Sequence, residues 1–186
     1  MTSIANDQGS RGGRQLRAVA ISGSPRAPSK SKTLAEIMLA VLAKSGCETQ
    51  LIDVASLPAE ALLARESSAQ IDAAMAEIGG ARIIVAASPT YRALYTGAMK
   101  AFFDLMPHGH LANKICVPIQ TAGSQSHFLA IEYGMRPLFA SLDGVPISGV
   151  YATDDQFVDG QPNDKLLGRI DAVAAQAITL ARGCVD

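Results

Sequence analysis

Apolar runs alternate along this chain with segments whose apolar residues recur at helical spacing. Residues Arg17–Ser22 (RAVAIS) form a short apolar run that reads as a first strand, and residues 31–44 carry Leu34, Ile37, Met38, Val41 and Leu42 on one helical face. A second strand is expected over 48–54, and a helix over 67–78 that Gly79-Gly80 ends. The run 82–87 (RIIVAA) is apolar at consecutive positions, as in a strand buried on both faces. A helix over 96–106, a strand over 114–120, a helix over 125–142, a fifth strand over 145–152 and a closing helix over 164–182 complete the pattern. Five strands, each followed by a helix, imply an α/β fold with a parallel sheet covered on both faces. The connection after the second strand is long and irregular.

Residues 1–15 fit no element. They contain Gly9, Gly12, Gly13, Arg11 and Arg14 and lack the apolar block of a secretory signal, so an N-terminal arm is expected there. Residues 16–186 then form one domain of about 170 residues, long enough for a full core.

Composition narrows the function classes. Hydrophobic residues make up 48% and charged residues 18%, a globular balance. No apolar run approaches the roughly 20 residues that span a bilayer. The formal net charge of −1 lacks the excess of a nucleic-acid binder. It also argues against an electron carrier that docks through a strongly acidic face. Cys47, Cys116 and Cys184 are odd in number and widely spaced, which disfavours a disulfide framework or a zinc site and fits a reducing cytoplasm.

In open parallel sheets, ligands bind beyond the carboxyl ends of the strands. The loops 23–30, 88–96 and 121–126 lie there, and all three are rich in Gly, Ser, Thr or Pro. The first leads into a helix start over 24–33, where unpaired N–H groups and the positive end of the helix dipole suit a phosphate. Ser24, Ser29, Ser31 and Thr33 add hydroxyls, and Arg26 adds a charged donor. Helix capping by Ser29 or Ser31 is the alternative use of these side chains, although four hydroxyls exceed what one cap uses. The loop has neither GxGxxG nor GxxxxGK[ST], so neither a dinucleotide pyrophosphate nor a nucleoside triphosphate is expected. A phosphate monoester such as that of FMN is expected instead.

In the second loop, Pro89 ends the strand ladder, and the backbone amides after it, with Thr90, can face a planar heterocycle. Tyr91 and Tyr95 either flank such a ring or serve as surface aromatics, and Thr96 is positioned to cap the next helix. In the third loop, the amides around Ala122, Gly123 and Ser124 can stabilise negative charge on a reduced flavin, or form a plain strand-to-helix turn.

These motifs together resemble the NAD(P)H-dependent FMN reductases. The resemblance rests on Gly23-Ser24-Pro25-Arg26 with Ser29-Lys30-Ser31, on Ser88-Pro89-Thr90-Tyr91 and on Tyr95-Thr96-Gly97-Ala98-Met99-Lys100. Ala122-Gly123-Ser124, His127, the stretch from Ile131 to Pro137, and Gly149-Val150-Tyr151-Ala152 extend it over roughly residues 17–182. The sequence is most similar to the reductase components of two-component alkanesulfonate and methanesulfonate monooxygenase systems. The resemblance implies a flavodoxin-like five-stranded sheet of order 2-1-3-4-5, FMN, NADH or NADPH as donor, and release of reduced FMN to a monooxygenase. It also implies a homodimer or homotetramer. Ala122 departs from the second glycine common in relatives.

Pro137 falls inside a helical pattern, where its missing N–H deprives the carbonyl of Tyr133 of a partner, and Gly134 weakens the same turn. A kink or π-bulge near Tyr133 follows. In the resembled subfamily an inserted aromatic or histidine forms a π-helix at an oligomer interface and accompanies use of flavin as a substrate. Tyr133 matches that position and is expected to tune flavin release.

Other polar residues carry less. His108 and His110 lack a third metal ligand. His127 is expected to pack on a helix, Asp154 and Asp155 to be solvated, and Arg136 to form a structural or interface ion pair. No catalytic side chain is expected, because a flavin brings its own reactive atom. Two alternatives stay open: a quinone, azo-dye or metal-ion reductase that keeps its FMN, and a non-enzymatic FMN carrier.

Overall fold

The structure is a computed structural model that describes residues 15–183. The expected arm over 1–15, apart from Gln15, lies outside the described residues, as does Cys184.

In chain order the elements are β1 (Arg17–Ser22), α1 (Lys30–Lys44), β2 (Glu48–Asp53), the short helix α2 (Ala59–Leu62), α3 (Ala69–Gly80), β3 (Ile83–Pro89), α4 (Gly97–Asp104) and β4 (Ile115–Ala122). A 3-10 turn (Gln125–His127), a π-helix (Ile131–Met135) and α5 (Arg136–Ala140) follow. Then come β5 (Val145–Pro146), β6 (Val150–Thr153), the hairpin strands β7 (Phe157–Val158) and β8 (Gln161–Pro162), and the long α6 (Asp164–Gly183).

The main sheet is parallel in the order β2-β1-β3-β4-β5, and β6 continues β5 along the outer side of β4. This is the expected 2-1-3-4-5 order. Strand residues alternate between two cores. Ala18, Ala20, Val85 and Val117 pack with Leu34 and Met38 of α1 and with Ile170 and Ala174 of α6. Val19, Ile21, Ile84 and Cys116 pack with Ile78 of α3, Phe102 and Phe103 of α4 and Phe139 of α5. Each fully buried Leu, Ile or Phe contributes about 1.5–3 kcal/mol, so helices cover both faces.

Two expected elements are broken, and each break has a local cause. The fifth strand, expected unbroken over 145–152, is interrupted at 147–149. On β4 the carbonyls of Lys114 and Cys116 accept from Val145 and Ile147, whereas Ile115 donates to Arg82 on the other side. Even-numbered residues therefore face the fifth strand, and Pro118, which has no N–H, leaves a gap in that ladder. The pairing changes from Cys116↔Pro146 to Ile119↔Val150, so the outer strand carries one extra residue, a bulge. Gly149 sits at the bulge. A Cβ there would lie 2.8 Å from the Pro118 carbonyl oxygen and 2.7 Å from its ring.

The helix expected over 125–142, with a kink or π-bulge near Tyr133, is a 3-10 turn followed by the π-helix and α5. Arg136 N–H bonds the carbonyl of Ile131, a five-residue step, one residue before Pro137. The π-turn is the backbone's answer to the missing proline donor, and it is centred on Tyr133 as expected. The irregular connection after β2 holds a 3-10 turn (Val54–Ser56) and α2.

Candidate functional site

All three loops emerge from the carboxyl end of the sheet, and hydrogen bonds tie them to one another. Gly23 N–H bonds Ala87 O at 2.8 Å, and Gly23 O accepts the Thr96 hydroxyl at 2.5 Å. A Cβ on Gly23 would come within 2.7 Å of Met99 Cβ, so the first loop lies directly on α4. Thr96 also caps α4 by accepting from Met99 N, and its own N–H bonds Ser88 Oγ at 3.0 Å. One buried threonine thus fastens the first and second loops to the same helix start.

Around the start of α1 the five expected residues divide. Ser29 is the N-cap and accepts from Lys32 N, and its hydroxyl lies 3.1 Å from that of Ser31. The N–H groups of Lys30 and Ser31 belong to the first turn and have no acceptor within the helix. No acidic residue occupies that turn. Arg26 is exposed, and among the described residues no protein group engages its guanidinium. Ser31 is fully buried, so the exposed Arg26, the part-buried Ser29 and the two amides are the groups at this helix start that suit an anion. Ser24 and Thr33 serve the loop itself. Ser24 Oγ accepts from Arg26 N and bonds Arg26 O, and the Thr33 hydroxyl donates to Ser29 O at 3.2 Å.

The second loop is a tight hairpin. Tyr91 N bonds Leu94 O at 2.8 Å and Leu94 N bonds Tyr91 O at 3.2 Å. Arg92 and Ala93 between them both have positive φ, 53° and 67°, the geometry of a type I′ turn without its usual glycine. Thr90 N is occupied by Thr121 O. The amides of Thr90 and Tyr91, expected to face a ring, are thus spent within the protein. Those of Arg92, Ala93 and Tyr95 have no protein acceptor among the described residues. Thr90 Oγ1 is buried without a partner, and such a hydroxyl at the mouth of a site is suited to a ligand atom. Pro89 ends β3 opposite Thr121, Tyr91 is exposed, and Tyr95 is half-buried. Burial raises the Tyr95 hydroxyl above its ordinary pKa of 10.0, with Lys100 opposing. It is therefore a neutral donor at physiological pH.

In the third loop Gly123 and Ser124 are exposed, and Ser124 O accepts the Tyr151 hydroxyl at 2.7 Å. Ala122 is buried against Ile131 and Tyr151, so its methyl group faces packing and not the loop's mouth. Asp154 is exposed, as expected, and pairs with Lys30 at 2.8 Å, and Lys30 also lies over the Phe157 ring at 5.1 Å. Asp154 Oδ2 would be 3.9 Å from a Cβ on Gly123, so this pair bridges the first and third loops. Nothing in the local sequence signals that pairing, because 124 residues separate the partners. His127 is exposed and does not pack on a helix, since its segment is a surface 3-10 turn. His110 bonds Met75 O at 3.1 Å. Arg136 forms the expected structural pair, with Glu132 at 2.8 Å, and also bonds the carbonyls of Pro146 and Ile147. Tyr133 is 78% exposed.

Together the three loops offer hydroxyls and unpaired first-turn amides at the start of α1, the unpartnered Thr90 hydroxyl, and the side chains of Tyr91 and Tyr95. Such a site positions a ligand that carries its own chemistry.

The family model described as NADPH-dependent FMN reductase matches residues 16–159. The chain is 35% identical to the NADH-dependent FMN reductase SfnF of Pseudomonas fluorescens (strain Pf0-1), covering 90% of this chain and 92% of that protein. It is 32% identical to the FMN reductase (NADPH) of Escherichia coli (strain K12), covering 77% and 76%. Among solved structures it matches the apo form of an NADH:FMN oxidoreductase (EMOB), with a TM-score of 0.82 and 33% identity over 91% of this chain and 90% of that one. A flavodoxin from the domain Archaea shares the fold, with a TM-score of 0.65 at 13% identity over 90% and 99%. The chain belongs to the NADPH-dependent FMN reductase family.

Proposed function

We propose that this member of the FMN reductase family binds FMN across its three loops and reduces it at the expense of NADH or NADPH. The observation that carries the reading is the start of α1, with Ser29, its unpaired first-turn amides and the exposed Arg26 before it, at the same end of the sheet as the unpartnered Thr90 hydroxyl. FMN held there would supply a ring able to accept a hydride from the reduced nicotinamide. The protein's share is position. The α1 amides and Arg26 hold the phosphate, with Ser24 and Thr33 shaping its loop. Thr90, Tyr91 and Tyr95 edge the ring, and the amides around Ala122, Gly123 and Ser124 face its pyrimidine side, where they favour the charge gained on reduction.

Reduced FMN is then handed to a partner monooxygenase of sulfonate or sulfur assimilation. The SfnF likeness supports this, as does the π-helix, whose exposed Tyr133 packs across a homodimer or homotetramer interface in our reading and tunes flavin release. The described residues include no helix long and apolar enough to cross a membrane, in keeping with a cytoplasmic enzyme. Steady-state oxidation of NADH and NADPH with added FMN, FAD, riboflavin and quinones tests the reading. Saturable dependence on free FMN is expected, and its absence with every flavin overturns it. Deleting Tyr133 is expected to yield protein that keeps FMN through purification. A deletion variant that still releases FMN refutes the role given to Tyr133.

A further inference from the structure

Gly134 is the residue of the π-helix on which the second loop rests. A Cβ built on Gly134 would collide with Leu94 Cδ1, and it would lie 3.5 Å from Leu94 Cγ and 3.5 Å from Tyr95 Cδ1. Leu94 thus sits in a notch that exists only because residue 134 has no side chain. Leu94 is also the closing residue of the hairpin whose two central residues, Arg92 and Ala93, hold left-handed conformations. Non-glycine residues keep that geometry only where surrounding contacts over-determine it. The hairpin is exposed at Tyr91, and Arg92 and Ala93 are exposed too, so few contacts are available to hold it. Two come from its own backbone bonds. Another is the Leu94 seat on Gly134.

We propose that Gly134 and Leu94 act together as positioning residues for flavin: the notch at Gly134 holds Leu94, and Leu94 holds the turn whose Arg92, Ala93 and Tyr95 amides edge the flavin ring. The inference rests on the reading of loop 88–96 as the flavin edge. It assigns the π-helix a role within one subunit, through Gly134 on its inward side, apart from any role of the outward Tyr133.

The colliding atom is the far end of a flexible side chain that is 38% exposed. A methyl group at position 134 therefore evicts Leu94 toward solvent and leaves the fold intact. Gly134→Ala and Leu94→Ala should then have one and the same consequence, an untethered hairpin, and the double variant should be no worse than the weaker-binding single. Interaction of this kind between touching residues is what a double-mutant cycle isolates.

The experiment measures FMN dissociation constants by fluorescence titration, together with KM for FMN and kcat, for wild type, Gly134→Ala, Leu94→Ala and the double variant. Each single substitution is expected to weaken FMN binding by about tenfold. KM for FMN should rise by a similar factor, and kcat should fall much less. The double variant should match the weaker single within about twofold. Wild-type affinity in either single variant, or additive losses in the double, overturns the inference while leaving the function standing. Failure of the wild-type chain to bind FMN overturns the function and this inference with it.

Discussion

Thr96→Val removes one hydroxyl and keeps the shape, and the structure sets how much it should cost. Thr96 is 2% exposed, so water does not replace the lost bonds. Its hydroxyl accepts from Met99 N at 3.1 Å, and loss of such an N-cap costs about 1 kcal/mol. The same hydroxyl donates to Gly23 O, and leaving that buried carbonyl unpaired costs about 1–3 kcal/mol. Together the loss is about 2–4 kcal/mol. A chain of this length shifts by about 2–4 °C per kcal/mol, so the melting midpoint should fall by about 5–15 °C. Urea denaturation followed by circular dichroism gives the free energy directly, with the slope m unchanged if the native fold persists. Thr96→Ser keeps the hydroxyl and should lose less than about 1 kcal/mol. The same variant loosens the first loop from the second, so FMN affinity should fall with stability for valine and hold for serine. A Thr96→Val protein within about 0.5 kcal/mol of wild type refutes the assignment of Thr96 as the strap between the loops.

Gly149→Ala forces a methyl group against the Pro118 carbonyl, a backbone atom that cannot swing aside, and should cost about 1–3 kcal/mol in urea denaturation. In a Cys184→Ser background the native protein should be nearly inert to Ellman's reagent at about pH 8, because burial pushes the Cys116 thiol up to about 12 and raises that of Cys47 as well. Denaturant should then expose two thiols, Cys47 and Cys116. Lys32 sits 2.6 Å from Asp53, and that hydrogen bond raises its pKa above 10.5. The pair's contribution is fully present below 10.5 and is lost as pH rises through the higher folded value. The stability gap between wild type and Lys32→Met should therefore stay level from about pH 7 to 9 and narrow above 10.5.

The alternation of apolar runs with helical faces was enough to read the sheet, its order through the family resemblance, and the three ligand-side loops. Those features depend on local periodicity and on the chirality of parallel crossovers, both of which are written in consecutive residues. The π-turn was also legible, because a proline inside a helical pattern has a fixed consequence four residues upstream. The break in the fifth strand was not. Its cause, Pro118, lies on the neighbouring strand, and only the register shows which side the missing donor faced. The Lys30–Asp154 bridge and the Leu94 seat on Gly134 were hidden for the same reason, since both join segments far apart in sequence. At the start of α1, the helix start itself was legible, with Ser29 as its cap. Which of the hydroxyls there face outward and which bond their own backbone, as Ser24 and Thr33 do, depends on rotamers that composition does not encode.

The gap opposite Pro118 also bears on how this protein behaves in crowded solution. A strand on the open margin of a sheet is a template onto which another chain can add. Here that margin is cut into pieces of two and four residues, with Pro146 in the first and a bulge between them. No stretch of it offers the run of evenly spaced donors and acceptors that an incoming strand would need. Straightening it, by replacing Pro118 and Gly149 with β-formers, would lengthen the ladder and at the same time open a route to self-association that the native sequence closes.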